Sequence, residues 1–96
     1  MGTLKVKNIV ESCYSREDGR VIFDRILPDL LSGNDVVVSF DGVSGITSSF
    51  VNAAFVDLLD SIDFSDIREH LVIADANSSI RDVILRRFKY EVENRV

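Results

Sequence analysis

The stretch VVVSFDGVSGITSSFVNAAF, residues Val36 to Phe55, decides how the fold is read. Val36-Val37-Val38 is apolar without alternation, the pattern of a central strand covered on both faces, and the strand is expected over Asp35–Phe40. Beyond it the period changes. Val51, Ala54, Phe55, Leu58, Leu59 and Ile62 recur at steps of three and four, which predicts a helix beginning at Ser48 or Ser49. From the strand's end into the first turn of the helix lie Asp41, Gly42, Ser44, Gly45, Thr47, Ser48, Ser49 and Phe50. Asp41-Gly42 closes the strand, and Val43 and Ile46 are expected to tuck into the core.

The flanks repeat this alternation. Leu4-Lys5-Val6-Lys7, continued by Ile9-Val10, reads as a short strand whose lysines suit an exposed edge. Ser15-Arg16-Glu17-Asp18 is a capping-box variant, with Ser15 as cap and Asp18 reaching back to the cap's amide. The helix it opens buries Ile22/Phe23, Ile26/Leu27 and Leu30/Leu31, and Gly33 is its natural stop. Pro28 clashes with the carbonyl four residues back, which predicts a kink between Asp24 and Pro28 or a start later than Ser15. A short turn or helix is expected over Ser65–Glu69, a strand over Leu71–Ala74, and a helix from about Ser79 through Ile80, Val83, Ile84, Phe88 and Val92. Arg86, Arg87, Lys89 and Arg95 gather in its C-terminal half, where cations suit the helix dipole. The sum is one α/β domain over residues 1–96: a small, mainly parallel sheet of three to four strands with covering helices and right-handed crossovers. A fourth strand would fall near residues 10–22 or at the C-terminus.

Composition narrows the function. Hydrophobic residues make up 46% and charged residues 28%, as in an ordinary globular domain. The net charge of −5 argues against direct nucleic-acid binding, which needs a basic surface. One cysteine, Cys13, makes no internal disulfide and fits a reducing compartment. No apolar run is long enough to span a membrane, Met1 is not followed by a signal-like stretch, and Val6 breaks the myristoylation pattern at Gly2. A cytoplasmic protein without membrane contact is expected.

The segment VSFDGVSGITSSFVNAAF (Val38–Phe55), with SREDGRVIFDRILPDLL before it and LVIADANSSIRDVI after it, resembles the STAS-like domains of bacteria and their phages. These are related to anti-sigma factor antagonists and to the cytoplasmic domains of sulfate transporters. The resemblance implies a protein-binding module, often paired with a histidine-kinase-like ATPase that phosphorylates a serine in an Asp-Ser-Ser/Thr-Gly motif at the helix start. Ser48 and Ser49 match the two hydroxyl positions, Thr47 stands where the motif has aspartate, and Phe50 where it has glycine.

Each candidate group has a structural reading beside the functional one. Thr47, Ser48 and Ser49 are helix caps first, worth ~1 kcal/mol. A phosphate on Ser48 or Ser49 would meet free amides and add nearly two negative charges to a partner surface. Asn77, Ser78 and Ser79 open the last helix. Two adjacent parallel strands would bring them beside Thr47–Ser49, so the two helix starts form a candidate small-anion site as well as two caps. No Gly-rich phosphate loop is present, and no cofactor is expected. One histidine, His70, and one cysteine supply neither a metal set nor a catalytic triad, although Cys13 and Asp75 are partners for His70 in principle. Asp57, Asp60, Asp63 and Asp66 read as a solvated face or a docking patch for a basic partner. The expectation is a non-catalytic interaction module that meets its partner through Asp41, Gly42, Ser44, Gly45 and Phe50, with homodimerisation a further expectation. The alternatives are a phage-encoded inhibitor of a host nucleic-acid-binding protein and a small anion- or nucleotide-binding domain.

Overall fold

A computed structural model describes residues 2–94. Arg95, counted among the C-terminal cations above, lies outside them. The order is β1 (Gly2–Lys5), a 3-10 turn (Val6–Asn8), α1 (Arg16–Leu31), β2 (Val36–Ser39), α2 (Ser48–Ala54), a second 3-10 turn (Val56–Asp60), α3 (Phe64–His70), β3 (Leu71–Ala74) and α4 (Ser78–Asn94). The strands form one parallel sheet in the order β1-β2-β3. Residues 10–22 contribute no strand: they hold an irregular segment and the start of α1.

Each strand-to-strand step moves one place in the same direction. Right-handed crossovers then deposit every connecting helix on the same face. Burial follows that rule. The register aligns Leu4, Val38 and Ile73 on one row and Thr3, Val37 and Val72 on the next. Val36 and Val38 are buried, whereas Thr3 and Lys5 are exposed and Val72 is 47% exposed. The expectation of cover on both faces is therefore corrected: Val37 is only half-buried, on a face that no helix among the described residues covers. β1 also ends sooner than its alternation implied. Lys5 pairs with Ser39, the last residue of β2, and Val6 turns inward as a fully buried residue of the 3-10 turn.

α1 starts where its cap is. Ser15 Oγ accepts the Asp18 N–H at 3.1 Å. Asp18 does not reach back to the cap's amide; its carboxylate accepts from Ser12 Oγ at 3.1 Å. Pro28 neither delays nor divides the helix, which runs unbroken from Arg16 to Leu31. Pro28 and Asp24 are both exposed, so water can satisfy the Asp24 carbonyl that the ring leaves unbonded. The helix ends in a Schellman motif: Asn34 N–H bonds Asp29 O, Gly33 N–H bonds Leu30 O, and Gly33 takes φ +78°. Leu31 falls off the expected stripe and is exposed.

α2 is shorter than the helix expected through Ile62. Ala53, Ala54, Phe55 and Val56 are all buried, more than one straight stripe can cover, and the chain tightens into the 3-10 turn after Phe55. Phe55 meets Phe40 and Phe50 edge-on at centroid distances of 6.2 and 6.5 Å, fastening α2 to the end of β2.

Candidate functional site

The loops leaving β2 and β3 share the C-terminal edge of the sheet. Ser39, the last residue of β2, is buried with a polar side chain. Its hydroxyl donates to Asp75 Oδ2 at 2.7 Å and accepts the Asp41 N–H at 3.3 Å. Asp75 follows β3 in a left-handed conformation, φ +57°. Asn77 makes the second bridge: Nδ2 donates to Ser44 O at 3.1 Å, and Oδ1 accepts the Ile80 N–H at 2.9 Å, capping α4. The two loops are thus joined twice, by side chains that each belong to a strand end or helix start.

From the other side, the segment before α1 holds the same loop. Thr47 N–H bonds Cys13 O at 3.1 Å, and Thr47 Oγ1 donates to Tyr14 O at 2.9 Å. The same Oγ1 accepts the Phe50 N–H at 3.3 Å, which makes Thr47 the α2 cap. The turn itself is tight: Val43 N–H bonds Phe40 O, and Gly42 takes φ +80° with Lys7 so near that a Cβ would lie 2.9 Å from its Cδ. Val43 and Ile46 pack against the core as expected.

What remains exposed is specific. Asp41, Gly42, Ser44, Ser48 and Ser49 face solvent, and Gly45 is half-exposed. Among the described residues the hydroxyls of Ser48 and Ser49 form no hydrogen bond, because Thr47 does the capping. Phe50 leaves the expected partner-reading set: it is fully buried at the start of α2. Tyr14, 58% exposed, borders a shallow cavity of about 110 Å³ with Gly42, Val43, Ser44 and Gly45. No periodicity in the sequence marked Tyr14 or Ser39.

Asn77 reaches Ser44, in the loop ahead of Thr47–Ser49, but the chemistry there suits an anion poorly. Both polar ends of the Asn77 side chain are engaged, and Asp75 holds its carboxylate against Ser39 at the same edge.

The remaining candidates are dispersed. His70 precedes β3 and Asp75 follows it, so the strand's four residues separate them by about 16 Å. His70 Nδ1 instead meets Asp35 Oδ1 at 2.7 Å, and that hydrogen bond is the main cause of a pKa above the ordinary 6.5, assisted by the charges of Glu69, Asp35 and Asp66. Cys13 is buried. Loss of water, then the Asp18 carboxylate, push its thiol up to about 11, which leaves it protonated and a poor nucleophile. Arg86 pairs with Asp82, and Arg87 bonds Glu91 and Asn52, so these two cations serve α4 and its contact with α2. Asp60, Asp63 and Asp66 are exposed, and Asp57 is half-buried. No group of three metal-ligating side chains converges among the described residues, and no helix among them is long and apolar enough to cross a membrane.

Residues 18–81, about two thirds of the chain, match a family model described as a STAS-like domain of unknown function (DUF4325). The match runs from the first turn of α1 to the first turn of α4 and so contains both loops of the site. No curated protein and no solved structure gives a significant match.

Proposed function

The chain belongs to the STAS-like domain family, and from that premise we propose that it is a non-catalytic protein-binding module resembling anti-sigma factor antagonists, switched by phosphorylation of Ser48 or Ser49. The observation that carries the reading is the state of those two hydroxyls. They are exposed and uncommitted at the start of α2, on a loop that Cys13, Tyr14 and Asn77 hold in place. A rigid loop costs little ordering entropy when a partner docks, so its exposed groups can be read directly. Tyr14 adds an amphipathic ring of the kind that anchors interfaces.

Phosphate on Ser48 or Ser49 is compatible with the fold, because it meets the unpaired amides of a helix start, yet it changes the charge a partner sees by nearly two units. The partner class is a histidine-kinase-like ATPase. The test uses the purified chain and such an ATPase from the same source. Association lost on Ser48→Asp or Ser49→Asp, with one phosphate added in the presence of ATP, is the expected result. A verified partner that leaves the mass unchanged removes the switch. Association unaffected by Tyr14→Ala, Ser44→Arg and Ser48→Asp removes the surface.

A further inference from the structure

A second surface lies away from that loop, along the outer edge of β3. Ala74 O accepts the Phe40 N–H at 2.9 Å, so the backbone of Ala74 faces β2. Strand alternation turns the backbone groups of Leu71 and Ile73 the other way. The Leu71 N–H closes α3 on Ile67 O, and the Ile73 N–H with the carbonyls of Leu71 and Ile73 lies on an edge that no strand among the described residues pairs. The two edges of the sheet differ. β1 carries Lys5, with Lys7 just beyond, the usual guard against further pairing. β3 reads Leu-Val-Ile-Ala and carries no charge.

Beside this unguarded edge, on the helix face, α3 and α4 diverge around a groove of about 430 Å³. Ile67, Ile73, Ile84 and Phe88 line its depth, Phe64 packs on Phe88 at 5.5 Å, and Leu85 stands over it 67% exposed. Its charged lining is Arg68, Lys89 and Glu93, a positive balance in a chain of net charge −5. Arg68 lies over the Phe64 ring, and neither it nor Lys89 joins an ion pair among the described residues. The groove thus offers free backbone groups, an apolar trough and uncommitted cations side by side.

We propose that the outer edge of β3 accepts an extended segment of a partner protein as a fourth strand, with alternate apolar side chains in the α3–α4 groove and acidic residues against Arg68 and Lys89. Strand addition takes affinity from the backbone pairing and specificity from every second side chain, which is what an edge beside a trough provides. Charge selects the occupant. A second copy of this chain brings the same basic rim, whereas an acid-bearing segment complements it.

The test uses two fluorescent peptides of about nine residues with the same alternating valine–threonine centre, one flanked by aspartates and the other by lysines. Fluorescence anisotropy and amide NMR are recorded on the whole chain. The aspartate peptide is expected to bind about tenfold or more tighter than the lysine peptide and to move the amides of Leu71–Ala74 and the region of Leu85. Arg68→Glu combined with Lys89→Glu, both at exposed positions, should reverse the order while circular dichroism stays unchanged. Equal binding of the two peptides, or no shift at Ile73 with either at millimolar concentration, overturns the proposal. So does a free chain that sediments as a dimer with concentration-dependent shifts at Ile73, because the edge then belongs to a second copy.

Discussion

Replacing Gly19 by alanine tests how the site is held. Gly19 lies in the first turns of α1, buried where α1 crosses α2. A Cβ there would fall 2.5 Å from the Phe50 carbonyl oxygen, 2.9 Å from Ala53 Cβ and 3.2 Å from the Ala54 nitrogen. Comfortable contacts begin near 3.5 Å, so the helices must separate by roughly 1 Å. Two of the three obstacles are backbone, and no rotamer change relieves them. Overpacking of this kind costs about 1–3 kcal/mol, and rigid obstacles place it near 3. Alanine returns about 1 kcal/mol of helix propensity. The net loss is therefore about 2 kcal/mol, a fall in Tm of roughly 10 °C for a chain of this size. Urea unfolding followed by circular dichroism measures it. Adding Ala53→Gly should recover only part of the loss, since the Phe50 carbonyl remains in the way. Because α2 begins at Ser48, the same substitution should also shift the amides of Ser48 and Ser49. A neutral or stabilising Gly19→Ala would refute the close crossing.

Asp75→Ala removes the acceptor of the buried Ser39 hydroxyl and puts alanine at φ +57°, so a loss of about 2–4 kcal/mol is expected, while Asp75→Asn, which keeps an acceptor and tolerates that φ, should lose about half of it or less; chemical denaturation of both decides, and equal losses would contradict the bridge. His70 has its pKa raised in the fold, chiefly by the bond to Asp35, so its contribution is fully present below the unfolded value near 6.5 and disappears as pH rises through the folded value. The Tm advantage of wild type over His70→Gln should accordingly be largest in mild acid and close in alkali, and an NMR midpoint at or below 6.5 would remove the pair. Cys13, with a thiol at about 11 and its side chain buried, should resist iodoacetamide at mildly alkaline pH until urea unfolds the chain. Labelling of the native chain as fast as an unfolded thiol would contradict that burial.

Local chemistry was legible where one residue performs one act. Ser15 and Gly33 mark the bounds of α1 because a cap and a left-handed stop are decided within a turn. The alternation of strands and helices led to the parallel sheet, and the matching ends of β2 and β3 led to the meeting of the two loops. What depends on partners distant in sequence was not legible. Val36-Val37-Val38 reports hydrophobicity but not which face the crossovers cover, so Val37 was placed too deep. Phe50 looked like part of a loop when matched position by position to a motif. Its spacing to Ala53 and Ala54 was the available sign that it belongs to the core face of α2. The Ser39–Asp75 bond spans 36 positions and needs the strand register before it can be drawn. Gly19 had no signal at all, since nothing in α1 names the helix that crosses it.

The central claim is that a partner protein reads the Asp41–Ser49 loop. Site-specific photocrosslinking in cells of the source organism tests it most directly, with benzoylphenylalanine placed at Ser44, at Ser48 and, as a control on the exposed side of α1, at Asp24. The account predicts one shared protein adduct from positions 44 and 48, absent from position 24 and lost from position 44 when Ser48→Asp is added. Adducts of equal yield at all three positions, or none at 44 and 48, would contradict it.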